Sequence, residues 1–306
     1  MLYAYYSDHV AMPLPDKHAF PRNKYALARE RVAAMATELA IELRPAPAAS
    51  DAELLRVHTA EYIRRVRVGE LTPQEQREIG FPWSEGFVER SVVSTGATLA
   101  AGRAVFTARD EGRDAWGVHL AGGTHHAFAD RGQGFCVFND MAVAVRNLRA
   151  EGRFTRALVL DLDVHQGNGT AAIFTGDPDT FTVSLHGAKN FPRVKTTSDL
   201  DVPLPDACED AEYLERLDDT LTKIWRKFTP EVVLYIAGAD PYHADRYGRM
   251  KLTKEGLRER DERVATACRE RNLPVIAAMG GGYARDVDAV AEIYATTVEV
   301  LASHAP

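Results

Sequence analysis

Apolar residues recur at helical spacing through most of the first hundred positions. From Trp116 onward they gather instead into short runs that alternate with helical stretches. Leu2–Tyr6 is a short β-prone run and predicts a first strand, followed by a proline-bearing loop over 9–22. Tyr25, Leu27, Ala28, Val32, Met35, Ala36 and Leu39 then predict one helix over 24–43. A second helix is expected over 51–66, holding His58 and Tyr62, and after it a charged loop over 69–83. Ser84 is the expected N-cap of a long helix reaching about Arg109. Beyond it, runs at 116–121, 157–161, 180–185, 232–237 and 274–279 read as buried strands. Helices at 141–149, from about Thr170 (with Asn168 as its cap), along the stripe Tyr213, Leu214, Leu217, Leu221, Ile224, Trp225 and Phe228, at 254–271 after Thr253, and at 287–302 alternate with them. This alternation predicts an α/β fold, a three-layer α/β/α arrangement around a mainly parallel sheet, in one domain over 1–306.

Ligands of such sheets bind beyond the carboxyl ends of the strands, and the polar motifs of this chain fall there. The stretch ALVLDLDVHQGNG ends a strand in Asp161, Asp163 and His165, at alternate positions that an extended backbone turns to one side. Asp240 follows a later strand and is the candidate third ligand of a metal held by Asp163 and His165. Two carboxylates and one imidazole leave a position open, which is the pattern of a catalytic rather than a structural site, and suit Zn²⁺ or Fe²⁺. The adjacent His125 and His126 can supply a proton acceptor and a donor, and Tyr283, after three glycines, can donate to an oxyanion. Asp161 is then left to orient an imidazole or to bind an ion with nearby carbonyls.

In this order, GGTHHAFADRGQGFCVFND, DLDVHQGNG, VSLH, GAD and GGGY resemble the zinc-dependent histone deacetylase family of the arginase–deacetylase fold, over nearly the whole chain. The form HQGNG, the FPWS stretch and the compact length are most like class IV deacetylases and their bacterial relatives. The resemblance implies a metal-dependent hydrolase of linear amides that removes an acyl group, acetyl or longer, from the ε-amine of lysine. Its zinc ligands would be Asp163, His165 and Asp240, its histidine pair His125 and His126 with the second as general base and acid, and its transition-state tyrosine Tyr283. A structural K⁺ would sit at Asp161 with carbonyls around Asp163, His165, Ser184 and Leu185. Gly134 and Phe135 would line an acyl-lysine tunnel, with Asn190 and Phe191 opposite. Asn168 stands where class I members carry an aspartate beside the second histidine, as in class II and IV relatives; Glu85 is the candidate for a rim acid.

Other readings are weighed by what they require. Arginase-like ureohydrolases hold two manganese ions with extra aspartates, but Asp240 is followed by Pro241 and Tyr242. An acylpolyamine or other small-amide deacylase of the same fold is the alternative, its partner a small acylated amine rather than an acyl-lysine peptide or protein. A scaffold that lost its chemistry would lack one of the site residues, and all are present.

Composition narrows this further. The net charge of −7, without a basic block, argues against nucleic acid as a partner. Three dispersed cysteines predict a reducing compartment. No apolar run reaches bilayer length and the N-terminus does not read as a signal peptide, so a soluble cytoplasmic protein is expected.

Overall fold

The computed structural model describes residues 1–15 and 17–306; Asp16, in the loop expected over 9–22, lies outside the described residues. The strands are β1 (Leu2–Tyr6), β2 (Ile41–Pro45), β3 (Trp116–His119), β4 (Ala157–Asp161), β5 (Thr180–Gly187), β6 (Leu200–Leu204), β7 (Val232–Ile236) and β8 (Val275–Ala278). They form an 8-stranded sheet in the order β2-β1-β3-β8-β7-β4-β5-β6, with every named pairing parallel. The strands β3, β4, β7 and β8 are buried throughout, as near-continuous apolar runs covered on both faces must be.

The helices are α1 (Lys24–Met35), α2 (Asp51–Leu54), α3 (Ala60–Val68), α4 (Pro73–Ile79), α5 (Glu85–Asp110), α6 (Asp140–Ala150), α7 (Asn168–Phe174), α8 (Asp210–Lys227), α9 (Lys254–Arg269) and α10 (Val287–His304). The helices α1, α10, α9 and α8 pack side by side, while α5 lies on β1, β3 and β8 with α6 beside it. Ser84 caps α5 as expected, its hydroxyl accepting from the Phe87 N–H at 3.1 Å.

Four expectations change. The helix from Lys24 stops at Met35, and Ile41 pairs with Leu2 as the start of β2, because strand pairing overrides a helical run of alanines and leucines. The helix expected over 51–66 breaks into α2 and α3 at Thr59, whose hydroxyl accepts from the Tyr62 N–H and starts a new helix. Within the expected loop at 69–83 lies α4, opened by Thr72 and Glu75 in a reciprocal capping box with proline in the first turn. The stretch with Pro192, Pro203 and Pro205, whose prolines predict a loop, holds β6 with Pro203 inside it, which is tolerated because β6 is an edge strand, paired among the described residues with β5 alone.

The connections from β4 run toward β5 and β6, whereas those from β7 run the other way to β8. The crevice beyond the ends of β4 and β7 is therefore the topological switch point of the sheet. Among the described residues no helix is long and apolar enough to cross a membrane.

Candidate active site

At the end of β4 the alternation of Asp161, Asp163 and His165 brings side chains together as the spacing predicts. The Asp161 carboxylate accepts from the Asp163 N–H at 3.1 Å, and the Asp163 carboxylate from the His165 N–H at 2.9 Å. From the end of β7, Asp240 reaches across and accepts from the Val164 N–H at 2.9 Å. His165 Nδ1 lies 3.0 Å from both Asp163 Oδ1 and Asp240 Oδ2, and the ligand atoms of all three residues fall within 4.8 Å of one another.

This donor set fits a divalent cation. Two carboxylates and an imidazole nitrogen converge in a buried place, with no basic side chain contributing to the cluster. Burial and the Asp163 charge push Asp240 up to about 7. Burial works against a charged His165, yet Asp240 and Asp163 outweigh it and hold the imidazole up at about 10. Two carboxylates thus hold the imidazole proton at the point where a bound cation would take its place.

The histidine pair follows β3 on a loop that Asp140 anchors, its carboxylate accepting from the Gly123 N–H at 3.0 Å and the Thr124 N–H at 2.8 Å. His125 Nδ1 lies 2.6 Å from Asp161 Oδ2. Burial disfavours its charge, but Asp161 and Asp163 raise it to about 9. His126 differs although its ring is only 4.1 Å away. Burial, together with the charges of His125 and His165, pushes it well below the usual imidazole range. Its Nδ1 meets Asn168 Oδ1 at 2.7 Å, while Asn168 Nδ2 donates to Gln133 at 2.9 Å. That orientation puts the His126 proton on Nδ1 and leaves Nε2 with a lone pair. Asn168 is the first residue of α7 and holds His126 rather than capping the helix.

After β8 the chain passes through Gly280, Gly281 and Gly282 to Tyr283. The Gly281 N–H donates to Asp163 at 2.6 Å, and a Cβ there would lie 2.0 Å from Asp240 Oδ2, so only glycine passes between the ligands. Asp245 accepts from the Tyr283 N–H at 2.6 Å, and Arg246 donates to its carbonyl at 2.7 Å. Burial, with the Asp163 and Asp240 charges behind it, pushes the phenol well above 10, so it keeps its proton.

The walls are aromatic. Phe135 lies 5.7 Å from the Tyr283 ring, and Phe191 meets the His126 ring edge-on at 4.9 Å. Gly134 touches the His126 ring, where a Cβ would come within 2.7 Å. Outside them opens a mouth of about 470 Å³ lined by Glu78, Lys189, Asn190, Tyr247 and Arg249. Behind the histidines a smaller cavity of about 70 Å³ reaches Tyr25 and Arg90. The chemistry-bearing groups are buried, whereas Phe191 and Tyr247 are each 41 % exposed and Val194, on the rim loop, 82 %.

The acid at the mouth is Glu78, at the end of α4; Glu85 instead opens α5, where its charge faces the helix N-terminus. Ser184 lies opposite Asp161 in the β4–β5 register, with Leu185 buried beside it. Gln133, Asp245 and Arg246 were not anticipated: they act on site residues 35 to 38 positions away, a separation at which no local pattern signals contact. Asp140 had a signal, since it stands in the stretch GQGFCVFND that follows the histidines.

Residues 18–301 match the histone deacetylase domain. An uncharacterized protein of Picosynechococcus is 38% identical over 92% of this chain and 92% of its own length. The histone deacetylase-like amidohydrolase of Pseudomonas aeruginosa is 32% identical over 79% of this chain and 66% of its own. Histone deacetylase 2 of Arabidopsis thaliana is 28% identical over 83% of this chain, which spans 65% of that protein's length. Among solved structures, an HDAC homolog from Aquifex aeolicus superposes with a TM-score of 0.81 at 26% identity, covering 98% of this chain and 84% of that one.

Proposed function

Because the chain belongs to the histone deacetylase family, hydrolases acting on amides, we propose that it is a zinc-dependent deacylase of the lysine ε-amine. The observation that carries this reading is the convergence of Asp163, His165 and Asp240 at one point, with a neutral imidazole and a protonated phenol beside it. Zinc bound by these three residues would supply Lewis acidity toward the acyl carbonyl and toward water.

The chain's own groups supply the rest. The apolar walls of Phe135 and Phe191 take the lysine stem, in keeping with the apolar lining of small-molecule sites. His126 Nε2 accepts the proton of the attacking water and returns it to the leaving amine. The Tyr283 hydroxyl donates to the oxyanion as it develops. His125, held by Asp161, keeps positive charge beside that oxygen. The small inner cavity favours short acyl groups. Asp161 with the carbonyls around Asp163, His165, Ser184 and Leu185 is the proposed potassium site, bracing the strand end that bears the ligands.

The test is turnover of zinc-loaded protein on one lysine peptide carrying acyl groups from acetyl to myristoyl, read as released amine. Cleavage is expected at the short end, with kcat reduced about 10²- to 10³-fold in Tyr283→Phe. Failure at every chain length with zinc bound would overturn the lysine reading. The second reading is a small acylated amine, whose second amine would meet Glu78 at a mouth that Lys189 and Arg249 also line. Cleavage of acylpolyamines alone would establish it.

A further inference from the structure

The protein as a whole is acidic, at −7, but the loop that frames one side of the mouth is not. Residues 188–195, AKNFPRVK, hold three cations and no acid. Lys189 lines the mouth with its side chain 72 % exposed, and Arg249 lines it from the loop after β7 with 55 % exposed. Arg193 is exposed and makes no ion pair among the described residues.

The acids nearby do not cancel this charge. Asp206 is shared by Lys189 at 3.6 Å and Arg249 at 3.1 Å, so that trio keeps one positive charge in excess. Asp245 is turned inward, its carboxylate accepting from the N–H groups of Tyr247, Gly248 and Tyr283. Glu78 accepts from Gln74 at 2.9 Å and is the one carboxylate lining the mouth among the described residues. The cations also stand on a fixed platform. The Lys195 ammonium donates to the Asn190 and Pro192 carbonyls, each at 2.6 Å, and the Asn190 side chain donates to the Tyr247 carbonyl at 2.7 Å. The two cation-bearing loops are therefore tied to each other, with Lys189 and Arg249 at the entrance and Arg193 two residues beyond Phe191.

A lysine whose stem lies between Phe135 and Phe191 leaves its own backbone at this mouth. Its neighbours in an extended peptide stand about 3.5 Å further out per position, so the first two or three on each side lie over the rim. Guanidinium and ammonium groups there attract carboxylates and repel further amines.

We propose that the rim formed by Lys189, Arg193 and Arg249 selects acidic partners, peptides or proteins whose acyl-lysine is flanked by Asp or Glu. The inference rests on the lysine-deacylase reading above and names the class of substrate for it. A basic tail, with lysines and arginines around the acyl-lysine, is correspondingly a poor substrate. The rim acts on encounter and binding while the buried groups do the chemistry, so the preference belongs to KM and the association rate.

The test compares three acetyl-lysine peptides of equal length, in which the two residues on each side are Glu, Gln or Lys. At about 0.02 M salt, kcat/KM is expected to be about tenfold higher for the Glu than for the Gln peptide, and lowest for the Lys peptide, with kcat within about twofold. At about 0.5 M salt the spread should shrink to about twofold, because exposed charges are then screened within a few ångströms. Lys189→Gln, Arg193→Gln and Arg249→Gln made together should erase the preference, and the corresponding triple Glu replacement should invert it. Lys223→Glu, Arg226→Glu and Lys227→Glu, at the end of α8 that leads to the start of β7 and so away from the mouth, leave it in place. Equal kcat/KM for the three peptides, or a preference that survives the Gln triple, overturns the proposal.

Binding supplies an arm that needs no turnover. In fluorescence anisotropy with labelled peptides and the Tyr283→Phe protein, Kd should be about tenfold lower for Glu than for Lys flanks. If the parent protein cleaves no acyl-lysine, the deacylase reading falls; a retained difference in Kd then supports the rim by itself, and equal Kd values refute it. Duplex DNA that displaces the Glu peptide as well as polyglutamate does, at equal charge concentration, would make the rim a general polyanion surface and overturn the proposal.

Discussion

The two adjacent histidines are held in different protonation states by partners only an ångström-scale choice apart: a carboxylate for His125, an amide for His126. His126 must be neutral to accept a proton, and its pKa lies well below 6.5, so the acid limb of kcat/KM is expected below pH 6.5. Asn168→Asp would place a carboxylate on Nδ1 and favour the imidazolium, which moves that limb to higher pH in a pH–rate profile. Buried histidines held below the usual imidazole range also bear on acid stability, His58 among them. His58 accepts the Asn139 N–H at 3.0 Å, and burial pushes it from 6.5 down to about 4. Between those values the unfolded chain binds the proton and the folded one does not. As pH falls through that window His58 should therefore cost the fold about 1.4 kcal/mol per unit, about 3 kcal/mol in all, in denaturant titrations, and His58→Gln should lessen the slope by that share. Much of the candidate site was legible because its members come in pairs along the chain, as in Asp163 with His165 and His125 with His126. Gln133, Asp245 and Arg246 were not, since the groups they hold lie 35 to 38 positions away along the chain.

Elements were legible wherever one period ran unbroken, as in α8, α10 and the buried strands, and were misread where two signals competed. At 36–41 the helical spacing of Leu39 and the strand pairing of Ile41 conflict, and the neighbour β1 decides. For α4 the cue was present in Thr72, Pro73 and Glu75 but was hidden by surrounding charge. The helix α5 is placed by a contact that its sequence marks only with a glycine. A Cβ on Gly96 would come 2.2 Å from the Pro47 carbonyl and 2.6 Å from the Ala49 nitrogen, and backbone cannot yield as a side chain can. Gly96→Ala is accordingly expected to cost about 1–3 kcal/mol, read as a lower denaturant midpoint at constant slope. A neutral outcome would mean that α5 can shift against the 47–49 segment without loss.

For the molecule as a whole, the sheet order explains why residues from 125 to 283 meet at one place: β3, β8, β7 and β4 are neighbours, and each ends in a site loop. Clustered buried carboxylates repel one another, so a cation bound there should stabilise the entire fold. Zinc at a hundredfold excess over its Kd is worth about 2.7 kcal/mol, so chelation should lower Tm by about 4 °C in calorimetry. No shift on chelation would remove the metal from the reading. The same architecture separates what must stay fixed from what can vary. The proton-handling groups are buried beyond the carboxyl ends of the central strands, while the side chains of Phe191, Val194 and Tyr247 reach solvent at the rim. For laboratory evolution this defines a small, permissive search space: libraries over 191–194, 247 and 249 can explore new amides at low risk to the buried machinery, sparing Gly248, whose Cβ would lie 2.0 Å from the Asp240 carbonyl oxygen, and selectivity can be reshaped from the rim inward.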